Sequence, residues 1–381
     1  MEAAQRQRYR AAYDSIIRLC DQGLPGTDPF TQVARKLRTV VGFSGGGWVR
    51  LDPDTLLPMP GLLLHAGHDQ VSRIIRDEYF VPDIMKFRDL ARRPVPVQTL
   101  WQVTGGHPEL SNRYNSILAP LGYRDELRVV FRSGTSVWGS ACLPRAVGDP
   151  PFSPEDIAFL GRISEPVARG LRLSHLLAGD RAADPAPPGV LILGDDGRVI
   201  SQTDAARHWL AQLPPDRAAG LDLPATILGA ASQVLAPADA RHGTTVSGGR
   251  VRTTEGRWLR VHASRLTPAG SPDGHGQTAV ILEPARPADL SPLVLDLHGL
   301  TDRERQITQL LLRGLPTTEI AETLFISRHT LGDHVKAIFA KLGVSSRPEL
   351  TALLLDRAPA IAGPGMRQSA GSPIASGGDA D

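Results

Sequence analysis

Within "RHTLGDHVKAIFAK", residues 328–341, two basic side chains, two histidines, a carboxylate and a third cation fall at helical spacing. Leu331, Val335, Ile338, Phe339 and Leu342 recur as one apolar stripe. At about 100° per residue the opposite face holds His329, Asp333, Lys336, Ala337 and Ala340. Small side chains there leave the polar groups standing clear of bulk. A helix of this kind suits the DNA major groove, about 12 Å wide, where side chains meet phosphates and base edges. A solvated face of a small helical bundle has the same periodicity, so spacing by itself leaves both readings open.

Those side chains need a frame, and the flanking residues predict one. Thr301 and Glu304 form a capping box ahead of Ile307, Leu310 and Leu311, and Gly314 stops that helix. Pro316 and Thr317 open a second helix with Ile320, Ala321 and Leu324 facing inward. Phe325 and Ile326 make the turn, and Ser327 caps the third helix. Gly343 ends it. Ser346 and Glu349 box a fourth helix, with Pro348 in its first turn and Leu350, Leu353 and Leu354 on its apolar side. Part of that leucine side is expected to face a twin.

The stretch "LTDRERQITQLLLRGLPTTEIAETLFISRHTLGDHVKAIFAKLGVSSRPEL" resembles the LuxR-type helix-turn-helix. Leu300, Thr301, Arg303, Glu304, Gly314, Glu319, Ile320, Ala321, Leu324, Ile326, Ser327, Thr330, His334, Lys336, Lys341, Leu342, Gly343 and Arg347 carry the likeness. It implies that the third helix reads the major groove and that the fourth serves dimerisation. Carried over by position, it implies base-edge contacts at Gly332, Asp333 and Lys336, and phosphate contacts near Thr317, Arg328, Thr330 and Lys341, with His329 beside them on the same outer face. Gly332 departs from the long polar residue of many relatives, and Asp333 repels phosphate while being able to accept from a cytosine amino group. The target sequence therefore cannot be borrowed from other members.

The rest of the chain bounds what this segment serves. A length of 381 residues implies two or three domains. Lys+Arg 42 against Asp+Glu 40 leaves a net charge of only +2, so nucleic-acid affinity must come from a local surface. Two cysteines, Cys20 and Cys142, exclude a disulfide framework. The start "MEAAQRQRYRAAYDS" lacks an apolar signal core, and no run of about 18 apolar residues occurs, so a cytoplasmic protein without a membrane partner is expected. The predicted organisation is a block at 1–177, an Ala/Asp/Pro linker at 178–189, a block at 190–284, a linker at 285–299, the helical block at 300–357 and a disordered tail at 358–381.

The blocks in front are similar to sensor folds. "PFSPEDIAFLGRISEPVARGL" closing a run of helices and strands resembles a GAF domain, and "GVLILGDDGRVISQTDAARHWL" with its later strands resembles a PAS-type fold. The expected class is thus multidomain: an α/β GAF-like domain, an α/β PAS-like domain and an all-α, four-helix LuxR-type unit. No phosphoacceptor constellation is found in the front blocks, and "FSGGGWVR" lacks the lysine of a phosphate loop. His65, His68 and Asp69 could hold a metal or haem, but without further ligands a solvated loop is the preferred reading. Cys142 and Cys20 read as small buried hydrophobes rather than redox sensors. The sequence therefore points to a transcription regulator that is not an enzyme, has no metal or cofactor, binds operator DNA as a homodimer, and senses a small molecule through its front domains. The alternative makes those domains a protein-interaction scaffold.

Overall fold

The computed structural model describes residues 2–24, 30–64, 74, 77–79, 81–177, 187–214, 223–235, 248–266 and 277–356. His65, His68 and Asp69, most of the 178–189 linker and the 358–381 tail lie outside these residues.

Two antiparallel sheets and a helical cluster make up the chain, which is the multidomain class expected. The first unit opens with helices α1 (Glu2–Asp21) and α2 (Thr31–Arg38). Its sheet has β1 (Gly47–Leu51), β2 (Pro58–Leu64), β3 (Val97–Thr99), β4 (Tyr123–Ser133) and β5 (Ser136–Ala146), in the order β2-β1-β5-β4-β3. Gly134, at φ +60°, supplies the left-handed residue of the tight β4–β5 turn. Helix α3 (Pro154–Leu177) then lies across the sheet. It starts as expected: Ser153 N–H donates to Asp156 Oδ2 at 2.8 Å, and Asp156 N–H donates to Ser153 Oγ at 3.1 Å. Leu160, Ile163, Val167 and Leu171 are fully buried beneath it, around Trp48 stacked on Phe131 at 5.9 Å.

The second unit repeats the strand order. Strands β6 (Gly189–Leu193), β7 (Val199–Gln202), β8 (Gly248–Arg252), β9 (Trp258–Leu266) and β10 (Gln277–Pro284) run β7-β6-β10-β9-β8. Leu259, Val261 and Ala263 are wholly buried, as their alternation requires. Helices α4 (Asp204–Gln212) and α5 (Ala225–Leu235) cover that face.

The units interlock. Leu57, between β1 and β2, is buried in the second unit's core. Arg250 of β8 grips Asp52 with two bonds of 2.8 and 2.7 Å, the carboxylate being fully buried. Burial alone would raise the Asp52 pKa, but Arg250 overrides it and holds the group below its ordinary value. His175 of α3 packs between Trp138 and Trp258, 6.0 Å from each ring.

Residues 285–299, expected as a linker, contain helix α6 (Pro287–Leu297). Leu290, Leu293 and Leu297 join the first unit's core, while Val294 and Leu295 join that of the helical unit. Four segments follow: α7 (Asp302–Leu312), α8 (Thr317–Thr323), α9 (Arg328–Leu342) and α10 (Arg347–Thr351), the last continuing as a π-type turn over Ala352–Asp356. The leucine side expected to face a twin is largely covered within the chain. Leu350 and Leu354 are fully buried, Leu353 is partly buried, and Ser291 of α6 donates to the Leu354 carbonyl at 2.5 Å.

Candidate nucleic-acid interface

Helix α9 rests on an apolar seam. Leu331, Ile338 and Leu342 are buried against Ile307, Leu311, Ile320 and Ala321. Val335 and Phe339 are only partly covered, so the buried seam is narrower than the stripe in the sequence. Ser327 Oγ accepts from Thr330 N–H at 3.0 Å and fixes the helix start. Gly343 ends it at φ +66°, where its amide bonds the Phe339 carbonyl. The turn before it has a non-glycine residue at positive φ, Phe325 at +54°, with 94% of its surface exposed.

This seating turns one face outward. Arg328, His329, Thr330, Asp333 and Lys336 are exposed, together with Thr317 at the start of α8. Lys336, 84% exposed along its side chain, stands 3.9 Å from Asp333, and His329 Nδ1 stands 3.3 Å from the same carboxylate. Both contacts lie in solvent, where such pairs contribute little and yield readily to a polyanion. Gly332 is half-buried, yet a Cβ there would meet nothing within 4 Å, so the backbone between the polar residues can be approached closely.

Lys341 is placed differently from the other expected contacts. Its ammonium pairs with Glu304 Oε2 at 2.6 Å and donates to the Gly299 carbonyl at 3.3 Å. Glu304 Oε2 also accepts the Thr301 N–H at 2.7 Å. Burial raises the Glu304 pKa, but the Lys341 and Thr301 bonds outweigh it and hold the carboxyl low. Lys341 thus ties the end of α9 to the start of α7 rather than standing with Arg328 and Lys336.

Other polar residues brace the frame without reaching the outer face. Arg303 donates to the Leu324 carbonyl at 2.5 Å, and Arg347 to Leu311 at 3.1 and 2.5 Å. His298 Nδ1 donates to the Lys341 carbonyl at 2.8 Å. Each donates to a carbonyl at or near a helix end, where intrahelical partners run out. Their roles were hidden in sequence because each reaches 21 to 43 residues along the chain. No group of three or more potential metal ligands occurs among the described residues. No described helix is long and apolar enough to cross a membrane.

The segment that carries this face is similar in sequence to known proteins. The pattern of the bacterial regulatory proteins of the luxR family matches residues 298–354. The spore germination protein GerE of Bacillus subtilis is 43% identical over 56 residues, covering 15% of this chain and 76% of that protein. A regulator of helix-turn-helix type from Aeromonas salmonicida is 47% identical over 57 residues, 15% of this chain, and the match spans only 29% of that relative. Among solved structures, a phycoerythrobilin-bound GAF domain from a cyanobacterial phytochrome aligns with 44% of this chain and 96% of its own, at 16% identity and a TM-score of 0.31.

Proposed function

Because this chain belongs to the luxR family of bacterial regulatory proteins, we propose that it is a sequence-specific, DNA-binding transcription regulator acting in the cytoplasm. One observation supports this most: α9 is seated by its apolar seam so that Arg328, His329, Thr330, Asp333 and Lys336 stand together on an outer face free of bulk. Arg328 at the helix start suits a phosphate, since helix N-termini lie near the backbone. Lys336, one turn or more inside, suits a guanine edge. Thr317, Thr330, Gly332 and Asp333 complete the surface. Lys341 reaches DNA in this reading only by leaving Glu304.

The regulator acts as a homodimer on a near-palindromic operator, its half-sites about 34–36 Å apart. It performs no catalysis; its front units convert a small-molecule signal into a change in DNA binding. Selection of binding sites from random duplexes with the full chain, followed by footprinting, tests the reading. A paired, near-palindromic footprint is expected. Binding without sequence preference, at every salt concentration, would remove the regulator reading.

A further inference from the structure

The first unit contains a cavity of about 50 Å³ between β1, β2 and β5 and the residues around Glu78. That is room for several water-sized atoms, since one water needs roughly 10–15 Å³ on this measure. Most of its wall is apolar, with Val49, Pro58 and Phe87 contributing. Ala225, the first residue of α5, closes it from the second unit. Thr226 beside it bonds the Pro58 carbonyl, so a cavity wall is also the joint between units.

Beneath the apolar wall lies a buried charge cluster. Glu126 receives Arg113 Nε at 3.0 Å, Arg113 Nη2 at 2.9 Å and Arg128 Nε at 2.8 Å. Arg128 Nη1 donates to Glu78 at 2.8 Å and to the Met85 carbonyl at 2.8 Å. Two guanidiniums thus bond two carboxylates, and the buried Lys86 ammonium, which donates to the Asp77 carbonyl, adds a third cation beside Glu78. Arg113 Nη1 is the exception: it is buried and meets no acceptor among the described residues, on a side chain only 8% exposed that lines the cavity. A buried donor without an acceptor costs about 1–3 kcal/mol, and it is the group that a ligand oxygen would satisfy.

We propose that this cavity is a binding site for a small, otherwise apolar, uncharged carbonyl compound, whose oxygen accepts from Arg113 Nη1. It rests on the sensing part of the reading above and locates that sensing in the first unit. The free N–H demands an acceptor. One free N–H takes one acceptor, and both guanidiniums already have carboxylate partners in Glu126 and Glu78, so a neutral oxygen suffices. The apolar wall takes the remaining carbons. Occupancy bears on Ala225 and β2, and therefore on how the second unit sits against the first.

Saturation-transfer NMR on the full chain tests this with three probes of similar size: 3-methyl-2-butanone, isobutyrate and isobutylammonium. The ketone should bind, isobutyrate more weakly, and the ammonium ion, which offers no acceptor, should give no saturable signal. Ala225→Leu and Val49→Leu each narrow the cavity without touching the cluster, and whichever keeps the wild-type circular dichroism should weaken the ketone at least tenfold. Absence of ketone binding, equal binding of the ammonium ion, or ketone binding undiminished in a folded narrowed variant would each overturn the site. Isobutyrate binding more tightly than the ketone would overturn the choice of an uncharged ligand. An operator footprint that persists while the ketone fails would discard this site and leave the DNA-binding reading standing.

Discussion

Ser136 Oγ donates to Asp296 Oδ1 at 2.7 Å, joining the tip of the β4–β5 hairpin to the helix that leads into the DNA-binding unit. Arg305 of α7 pairs with the same Asp296 oxygen and donates to Ser136 Oγ at 2.9 Å. Thr135 adds a bond of 2.7 Å to Asp302. The β4–β5 turn, α6 and α7 thus meet at one carboxylate, which adds polar contacts to the apolar anchorage that α6 gives the helical unit. Ser136→Ala should loosen that contact. Amide exchange at residues 133–136 and 302–305 is expected to speed up roughly tenfold, as for the loss of a hydrogen bond to a charged group. Unchanged exchange would mean that the hairpin contributes nothing to holding the unit.

Asp296 also makes the joint sensitive to pH. Burial pushes its carboxyl from 3.8 up to about 6, against the opposing pull of Arg305 and Ser136. Between those values the folded chain keeps a proton that the unfolded chain has released, so this group lowers stability as pH rises from about 4 to about 6. The shift corresponds to roughly 3 kcal/mol at most. Urea unfolding of the wild type and Asp296→Asn across this window should diverge, the wild type losing stability relative to the variant. Parallel curves would contradict the assignment.

Glu126 runs the other way. Burial would raise its pKa, but Arg113 and Arg128 together overcome that and hold it at about 2. Its contribution is therefore complete above the unfolded value near 4.5 and is lost as pH falls toward 2. Glu126→Gln leaves two buried guanidiniums short of their partner, which should cost about 3–5 kcal/mol at neutral pH. A loss below about 1 kcal/mol in chemical denaturation would show that the cluster is hydrated rather than buried.

Gly332 separates stability from function. Its φ is not in the left-handed region and a Cβ would meet open space, so Gly332→Ala should stabilise the chain by up to about 1 kcal/mol. The added methyl projects from the helix that is proposed to enter the groove. Operator affinity should change while the melting temperature rises. A stabilised variant with unaltered affinity and preference would place Gly332 away from DNA.

How much of this could be read from sequence depended on the range of each interaction. The helix boundaries of the DNA-binding unit were legible because Thr301 with Glu304, Ser327, Gly343 and Ser346 act within one turn. The buried alternation of Leu259, Val261 and Ala263 was legible for the same reason. Helix α6 was missed because Pro287 and Pro292 read as linker residues, although Leu290, Leu293, Val294 and Leu297 already had helical spacing. Pro287 in fact sits in the first turn, where its missing N–H costs nothing. The cavity was invisible, since Arg113, Glu126 and Arg128 are assembled by strand pairing and a helical turn. One signal was present: Glu126 and Arg128, two residues apart, put opposite charges on one face of β4. The Lys341–Glu304 pair could not be inferred at all, because nothing local distinguishes Lys341 from the exposed Lys336.

The account stands most directly on Lys336. Affinity of the full chain should be measured for the selected operator and its single-base variants, at two salt concentrations, with wild type and Lys336→Ala. If Lys336 reads a guanine edge, the variant loses about 1–3 kcal/mol of discrimination at one position and keeps its preferences elsewhere. Unchanged affinity together with unchanged preference at every position would mean that α9 does not enter the groove.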